Sequence, residues 1–231
     1  MLKEYTLKLG QIEITVSRKK VKNIRLTVFP GDGKVKVTSP VYTSDKIIKS
    51  FIVSKMRWIE KQQEKFSLQE RPTMYHYVSG ENHFYLGKPY TLEIIYSKSK
   101  QVVTLDGDRL ILSARPGSNE DKRKRILNEW YRGVLKEHIP VIIDNWAKVI
   151  GDKPLEWGVK NMKTRWGSCN TQAKRIWLSL KLAEKSIESL EYVVIHEMVH
   201  LLERGHGKPF KAHMDRVLPD WRSKRKQLNQ S

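Results

Sequence analysis

The chain is short of cysteine, of acidic residues and of long apolar runs, and each shortage excludes something. Cys169 is the single cysteine among 231 residues, so no intrachain disulfide can form and a disulfide-stapled secreted scaffold is excluded. No apolar run approaches the roughly 18 residues at which a membrane-spanning helix is read. The opening Met1-Leu2-Lys3-Glu4-Tyr5 lacks the apolar stretch of a signal peptide, and the expected compartment is the cytoplasm. Acidic residues number 25 against 44 Lys and Arg, which leaves a formal charge of +19. A field of that sign draws polyanions, nucleic acid and nucleotides among them, but here the charge is spread as on an ordinary solvated surface. No internal repeat or low-complexity tract is visible. Hydrophobic residues at 39% and seven Trp supply a core, so a folded chain of one or two domains is expected.

Against that background one stretch carries chemistry: Val193-Val194-Ile195-His196-Glu197-Met198-Val199-His200-Leu201-Leu202, with His206 following. Residues four apart on an α-helix lie about 40° apart on one face, so His196 and His200 can address one cation. Glu197 falls about 100° further round. That is beside the metal, where a general base can take a proton from metal-bound water. Val194, Ile195, Met198, Leu201 and Leu202 form an apolar stripe, so the helix should be largely buried. Two histidines and a carboxylate are costly there unless paired or metal-bound. The bland alternative is two satisfied core histidines and a surface glutamate.

A catalytic zinc takes three protein ligands and leaves one position for water. The interval to His206 equals that of the metzincin pattern H-E-x-x-H-x-x-G-x-x-H, except that Glu203 stands where the glycine falls. Gly205 and Gly207 flank His206 and can build the returning turn another way. His213 and Asp215 are the alternative third ligands.

Three blocks, Thr164-Arg165-Trp166-Gly167-Ser168-Cys169, Tyr192 to Leu201, and His206-Gly207-Lys208-Pro209-Phe210, resemble the YgjP-like zinc metallopeptidase family, relatives of the SprT-like proteases. The likeness is strongest over residues 155–225. It implies an α+β fold containing a zincin-like metallohydrolase domain, one Zn2+ on His196, His200 and His206, and Glu197 as base. A protein or peptide is the implied substrate. Some members are described as nucleotide pyrophosphatases, which keeps a nucleoside triphosphate as the alternative. The likeness also places Arg165, Trp166 and Ser168 near the cleft as substrate-binding candidates. Arg165 can bind an anionic group or stabilise developing charge, or equally make a structural ion pair. Trp166 reads more naturally as packing, and Cys169 as a buried thiol, with a water-blocking fourth ligand as the alternative. A nucleic-acid-binding protein with a closed, structural zinc site is the reading from another class.

The remaining chain is read for placement. Tyr5–Leu9 and Ile12–Val16 alternate around Gly10-Gln11, and Ile24–Val28 and Val35–Thr38 flank Pro30-Gly31-Asp32-Gly33, giving two hairpins. The basic run Arg18-Lys19-Lys20 with Lys22 is a phosphate contact or, more simply, a solvated loop. Ser44 caps a helix expected over 44–65, packed on the sheet through Trp58 and Ile59. After a loop at Pro72 a second β region runs to Leu112, with a turn at Asp106-Gly107-Asp108. Ser118 should cap a long helix, which Pro140 kinks or divides. Strands near 156–162 and 175–180 precede a motif helix expected over Ile187–Glu203 with Ser186 as its cap. The expected division is a β-rich N-terminal domain, 1–117, and a zincin-like catalytic domain, 118–231.

Overall fold

In the computed structural model of the chain, residues 4–29, 32–68 and 75–229 are described. The chain is α+β and packs as two compact units, Met1–Met74 and Tyr75–Ser231. The boundary expected after residue 117 therefore falls earlier. The second β region buries Leu92, Leu110, Leu112 and Ala114 in one core with Leu127, Tyr131 and Leu135 of the helix that follows it. Shared burial ties those strands to the helical half.

The first unit begins with strands β1 (Glu4–Leu9) and β2 (Ile12–Lys19), an antiparallel hairpin whose turn uses Gly10 at φ +59°. Strands β3 (Arg25–Val28) and β4 (Val35–Pro40) form a second hairpin, and β4 runs parallel to β2. Of the turn residues, Pro30 and Gly31 lie outside the described residues, as does the Pro72 loop. Ile14, Val16, Val35 and Val37 point to one face and are buried with Ile48, Ile52 and Ile59 from the helices that follow. The helix expected over 44–65 is two: α1 (Asp45–Ser54), capped by Ser44 as expected, and α2 (Met56–Leu68), separated at Lys55. The break rotates the following turn, so Ile59 is buried while Trp58 is 45% exposed and does not pack the helix on the sheet. Arg18 is structural: it pairs with Asp45 and donates to the carbonyls of Val41 and Thr43.

The second unit opens with strands β5 (Asn82–Tyr85), β6 (Lys88–Tyr96), β7 (Val103–Asp106) and β8 (Arg109–Ala114). Their order, β5-β6-β8-β7 with β6 parallel to β8, repeats the β1-β2-β4-β3 order of the first sheet. The repeat is one of topology. Helix α3 (Glu120–Ile150) is a single 31-residue helix running through Pro140, and Asn119, one residue after the expected Ser118, caps it by accepting from the Lys122 N–H. Strands β9 (Glu156–Lys160), β10 (Gly167–Asn170) and β11 (Arg175–Ser179) form a three-stranded sheet ordered β10-β11-β9, which leaves β10 at an edge. A short 3-10 helix, Leu180–Glu184, leads to α4 (Ile187–Val199), α5 (Lys208–Val217) and α6 (Trp221–Leu228). No helix among the described residues is long and apolar enough to cross a membrane.

Candidate active site

Helix α4 is capped by Ser186, whose hydroxyl accepts from the Ser189 N–H, and it lies with one side against α3 and another against β10 and β11. Nine of its thirteen residues are buried, Glu197 among them, as the apolar run implied. It ends at Val199, four residues before the expected Glu203. The N–H groups of Leu201 and Leu202 bond back three residues, to Met198 and Val199, which tightens the last turn. His200 is the C-cap and keeps helical dihedrals, φ −63° and ψ −18°, so it stays one turn above His196 on the same face.

The chain then returns through Gly205 and Gly207 and brings His206 to that face. Nε2 of His206 lies 3.1 Å from Nε2 of His196 and 3.2 Å from Nε2 of His200. Among the described residues these three histidines are the one group with donor atoms placed to share an ion, all within 4.8 Å of one another. His213 and Asp215 lie outside the group. Asp215 instead accepts from the indole N–H of Trp221 and pairs with Arg222.

Hydrogen bonding among three imidazole nitrogens cannot account for this convergence. Nδ1 of His200 is 3.0 Å from the Glu203 carbonyl, which fixes the proton on Nδ1 and leaves Nε2 a lone-pair donor. A single N–H on His206 can then satisfy only one of its two neighbours. Burial, reinforced by the neighbouring His200, His206 and Arg225, holds the His196 imidazole down to about 3, and burial lowers His200 as well. Both rings are therefore neutral, the form that binds metal. Three ligands at about 2.0–2.1 Å in tetrahedral geometry sit roughly 3.3 Å apart, close to the spacing seen. The donor set fits one metal ion.

Two residues shape this site in ways the sequence did not announce. The ring of Phe210, from α5, lies 4.6–5.0 Å from the centres of all three imidazoles and is fully buried, so it backs the cluster with an apolar floor. Gly167, the first residue of β10, faces the Glu197 side chain. A Cβ there would lie 2.6 Å from Oε1 and 2.7 Å from Cγ, so only glycine lets the carboxylate approach the strand this closely. Glu197 itself is 6% exposed. Burial pushes its carboxyl up to about 8, opposed by the Arg165 guanidinium.

The cluster opens into a cleft of about 770 Å³. Arg165, Trp166, Gly167, Ser168 and Cys169 form its β10 side, so all three substrate-binding candidates line it. Trp166 also packs on the core, its carbonyl accepting from the Ser179 N–H at 2.8 Å. Cys169 is half-buried and not part of the histidine group, and burial beside Glu197 pushes its thiol up to about 11. Tyr192, one turn before His196 on α4, and Arg204 and Arg225, from beyond the motif helix, complete the wall. A concavity of about 600 Å³ on the outer face of α1, in the first unit, holds no such cluster.

The family model described as YgjP-like, metallopeptidase domain, matches residues 22–231. Among solved structures, the chain is similar to the metallopeptidase zymogen of Pyrococcus abyssi abylysin, at 16% identity, 39% of this chain, 90% of that chain and TM-score 0.37. It is also similar to the metallopeptidase zymogen of Methanocaldococcus jannaschii jannalysin, at 20% identity, 38% of this chain, 94% of that chain and TM-score 0.33. No curated protein matches the chain.

Proposed function

This chain belongs to the YgjP-like metallopeptidase family, and on that premise we propose a zinc-dependent peptidase with His196, His200 and His206 as ligands and Glu197 as general base. Its α+β fold is zincin-like. One observation carries the reading: three converging Nε2 atoms stand beside a buried carboxylate at the mouth of one cleft.

His196, His200 and His206 would hold a zinc ion, which when bound would lower the pKa of a water and place positive charge beside the scissile carbonyl. Glu197, held against Gly167, takes the proton of the attacking water and returns it to the leaving amine. Strand β10 has a partner on one side only, β11. Its other edge can pair with an extended peptide backbone and present the peptide to Glu197. Arg165 lines the same cleft and its charge reaches Glu197, which supports a role in stabilising negative charge developing at the carbonyl oxygen. Trp166 and Ser168 border the same path.

The nucleoside-triphosphate pyrophosphatase and the nucleic-acid binder with a closed zinc site gain no support from the family match. Cys169 stays outside the three-histidine group, which favours an open position for water over a fourth protein ligand.

The test is the Glu197→Gln protein, zinc-loaded, beside wild type on an unfolded protein substrate. Peptide-bond turnover should fall by about 10²- to 10⁴-fold with one zinc retained per chain. Wild-type turnover in that variant would remove Glu197 from the mechanism. Absence of bound zinc in wild type would remove the metal assignment.

A further inference from the structure

We propose that the cleft selects peptides carrying acidic side chains next to the scissile bond, an inference that rests on the peptidase reading. Arg165 precedes β10, Arg204 follows α4 and Arg225 lies on α6, yet all three line the one cleft around the histidines. The single carboxylate among the lining residues is Glu197, which is buried against Gly167. Some guanidinium groups elsewhere pair with carboxylates, Arg18 with Asp45, Arg109 with Asp106 and Glu93, Arg175 with Glu156 and Arg222 with Asp215, while others such as Arg115 pair with none among the described residues; what distinguishes Arg165, Arg204 and Arg225 is that they share one cleft. Among the described residues none of the three makes a salt bridge; the one carboxylate that Arg165 acts on is the buried Glu197.

Three arginines lining one cleft repel Lys and Arg side chains and offer fork-shaped donor sets to a ligand. Carboxylates match that geometry in two-point contacts. The unpaired edge of β10 points to a peptide as their carrier, because a strand edge bonds an extended backbone and offers nothing comparable to a nucleotide. The wider positive charge of the chain adds steering toward the same ligands.

The experiment uses the full-length, zinc-loaded Glu197→Gln protein and three matched fluorescent peptides at physiological ionic strength. The peptides differ only in carrying Glu, Gln or Lys on both sides of the central bond. The Glu peptide should bind about tenfold more tightly than the Gln peptide, and the Lys peptide most weakly. Adding R165Q, R204Q and R225Q should collapse the Glu-over-Gln ratio to about twofold or less. Adding K98Q, K100Q and R115Q instead removes the same charge from exposed residues outside the cleft and should leave the ratio intact. If the triple Gln variant does not fold, the triple Lys variant, which keeps charge and loses the fork, should show an intermediate ratio.

Equal binding of Glu and Gln peptides, or equal loss in both charge-removal variants, overturns the inference. So does a nucleoside triphosphate that binds more tightly than the Glu peptide and is lost with the same three arginines. Cleavage by the wild-type protein separates the two readings. Gln-peptide cleavage without an acidic preference sinks the selectivity alone. Acidic preference in binding with no cleavage of any peptide keeps the selectivity and sinks the peptidase.

Discussion

The two four-stranded sheets are built to one plan and used differently. Each is a pair of antiparallel hairpins with the inner strands parallel, β2 with β4 and β6 with β8. Each turns on glycines with positive φ, Gly10 and Gly33 in the first, Gly87 and Gly107 in the second. Each is followed by a helix capped by a polar side chain, Ser44 or Asn119. They part at that helix. In the first unit α1 buries Ile48 and Ile52 and leaves Ile47 and Val53 more than half exposed, so it is apolar beyond what one sheet needs. In the second, α3 buries eight residues along 31 and packs on β8 and on α4. A helix that covers a sheet with one side and grips a second helix with the other can hold a metal-binding motif in place. In the first unit α1 meets α2, which carries no metal-binding group among the described residues.

The strongest way to break this comparison is to cut a cavity under each helix. Leu135→Ala in α3 and Ile52→Ala in α1 each truncate a side chain with no exposed surface, and each should cost its unit about 2–5 kcal/mol. Calorimetry should show the α1 change lowering one transition and leaving zinc affinity unaltered. The α3 change should lower the other transition and weaken zinc binding with it, because α3 backs α4. Zinc affinity responding alike to both changes would mean the first unit also supports the metal helix.

How much of this was legible depends on how local the cause is. The first hairpin was written in alternation around Gly10 and the last in the turn Asp106-Gly107-Asp108, and the histidine cluster in intervals of four and six from an apolar run. The unit boundary was not, because β5–β8 look like a continuation of the first β region until one sees that Leu110 and Leu112 share a core with α3. Strand β10 was not among the expected strands: Gly167-Ser168-Cys169-Asn170 has no β-branched or aromatic residue, and only pairing with β11 makes it a strand. Phe210 stood in the sequence at the end of a family-like block, and its contact with three imidazoles comes from the return of the chain after Glu203. Arg204 and Arg225 gave no signal at all, since a basic residue in so basic a chain is unremarkable until the fold gathers it at a cleft.

A smaller effect sharpens the role of the second unit. Gly167→Ala puts a Cβ within van der Waals repulsion of the Glu197 carboxylate, and either the strand or the carboxylate must shift. The expected result is a turnover lowered by about tenfold to a hundredfold with zinc stoichiometry unchanged. Loss of zinc together with turnover would show that β10 supports the histidines and not Glu197 in particular.

The smallest effect compares the two copies at one equivalent point. Asn119 accepts from the Lys122 N–H at 3.0 Å, and Ser44 from the Ile47 N–H at 3.4 Å. The shorter bond begins the helix that backs the metal site, and the longer one begins a helix whose outer face is solvent-exposed. Replacing either by Ala should cost about 1 kcal/mol, with Asn119→Ala toward the upper end and Ser44→Ala toward the lower end of the range of about 0.5–2 kcal/mol. Neither side chain touches the cleft, so zinc affinity should change little in both variants. Each loss should appear only in the transition of its own unit. A Ser44→Ala cost equal to that of Asn119→Ala would mean that the caps serve the shared topology alike. A larger cost at Asn119 would mean that the second copy has been tightened at its helix start, where the metal-binding helix depends on it.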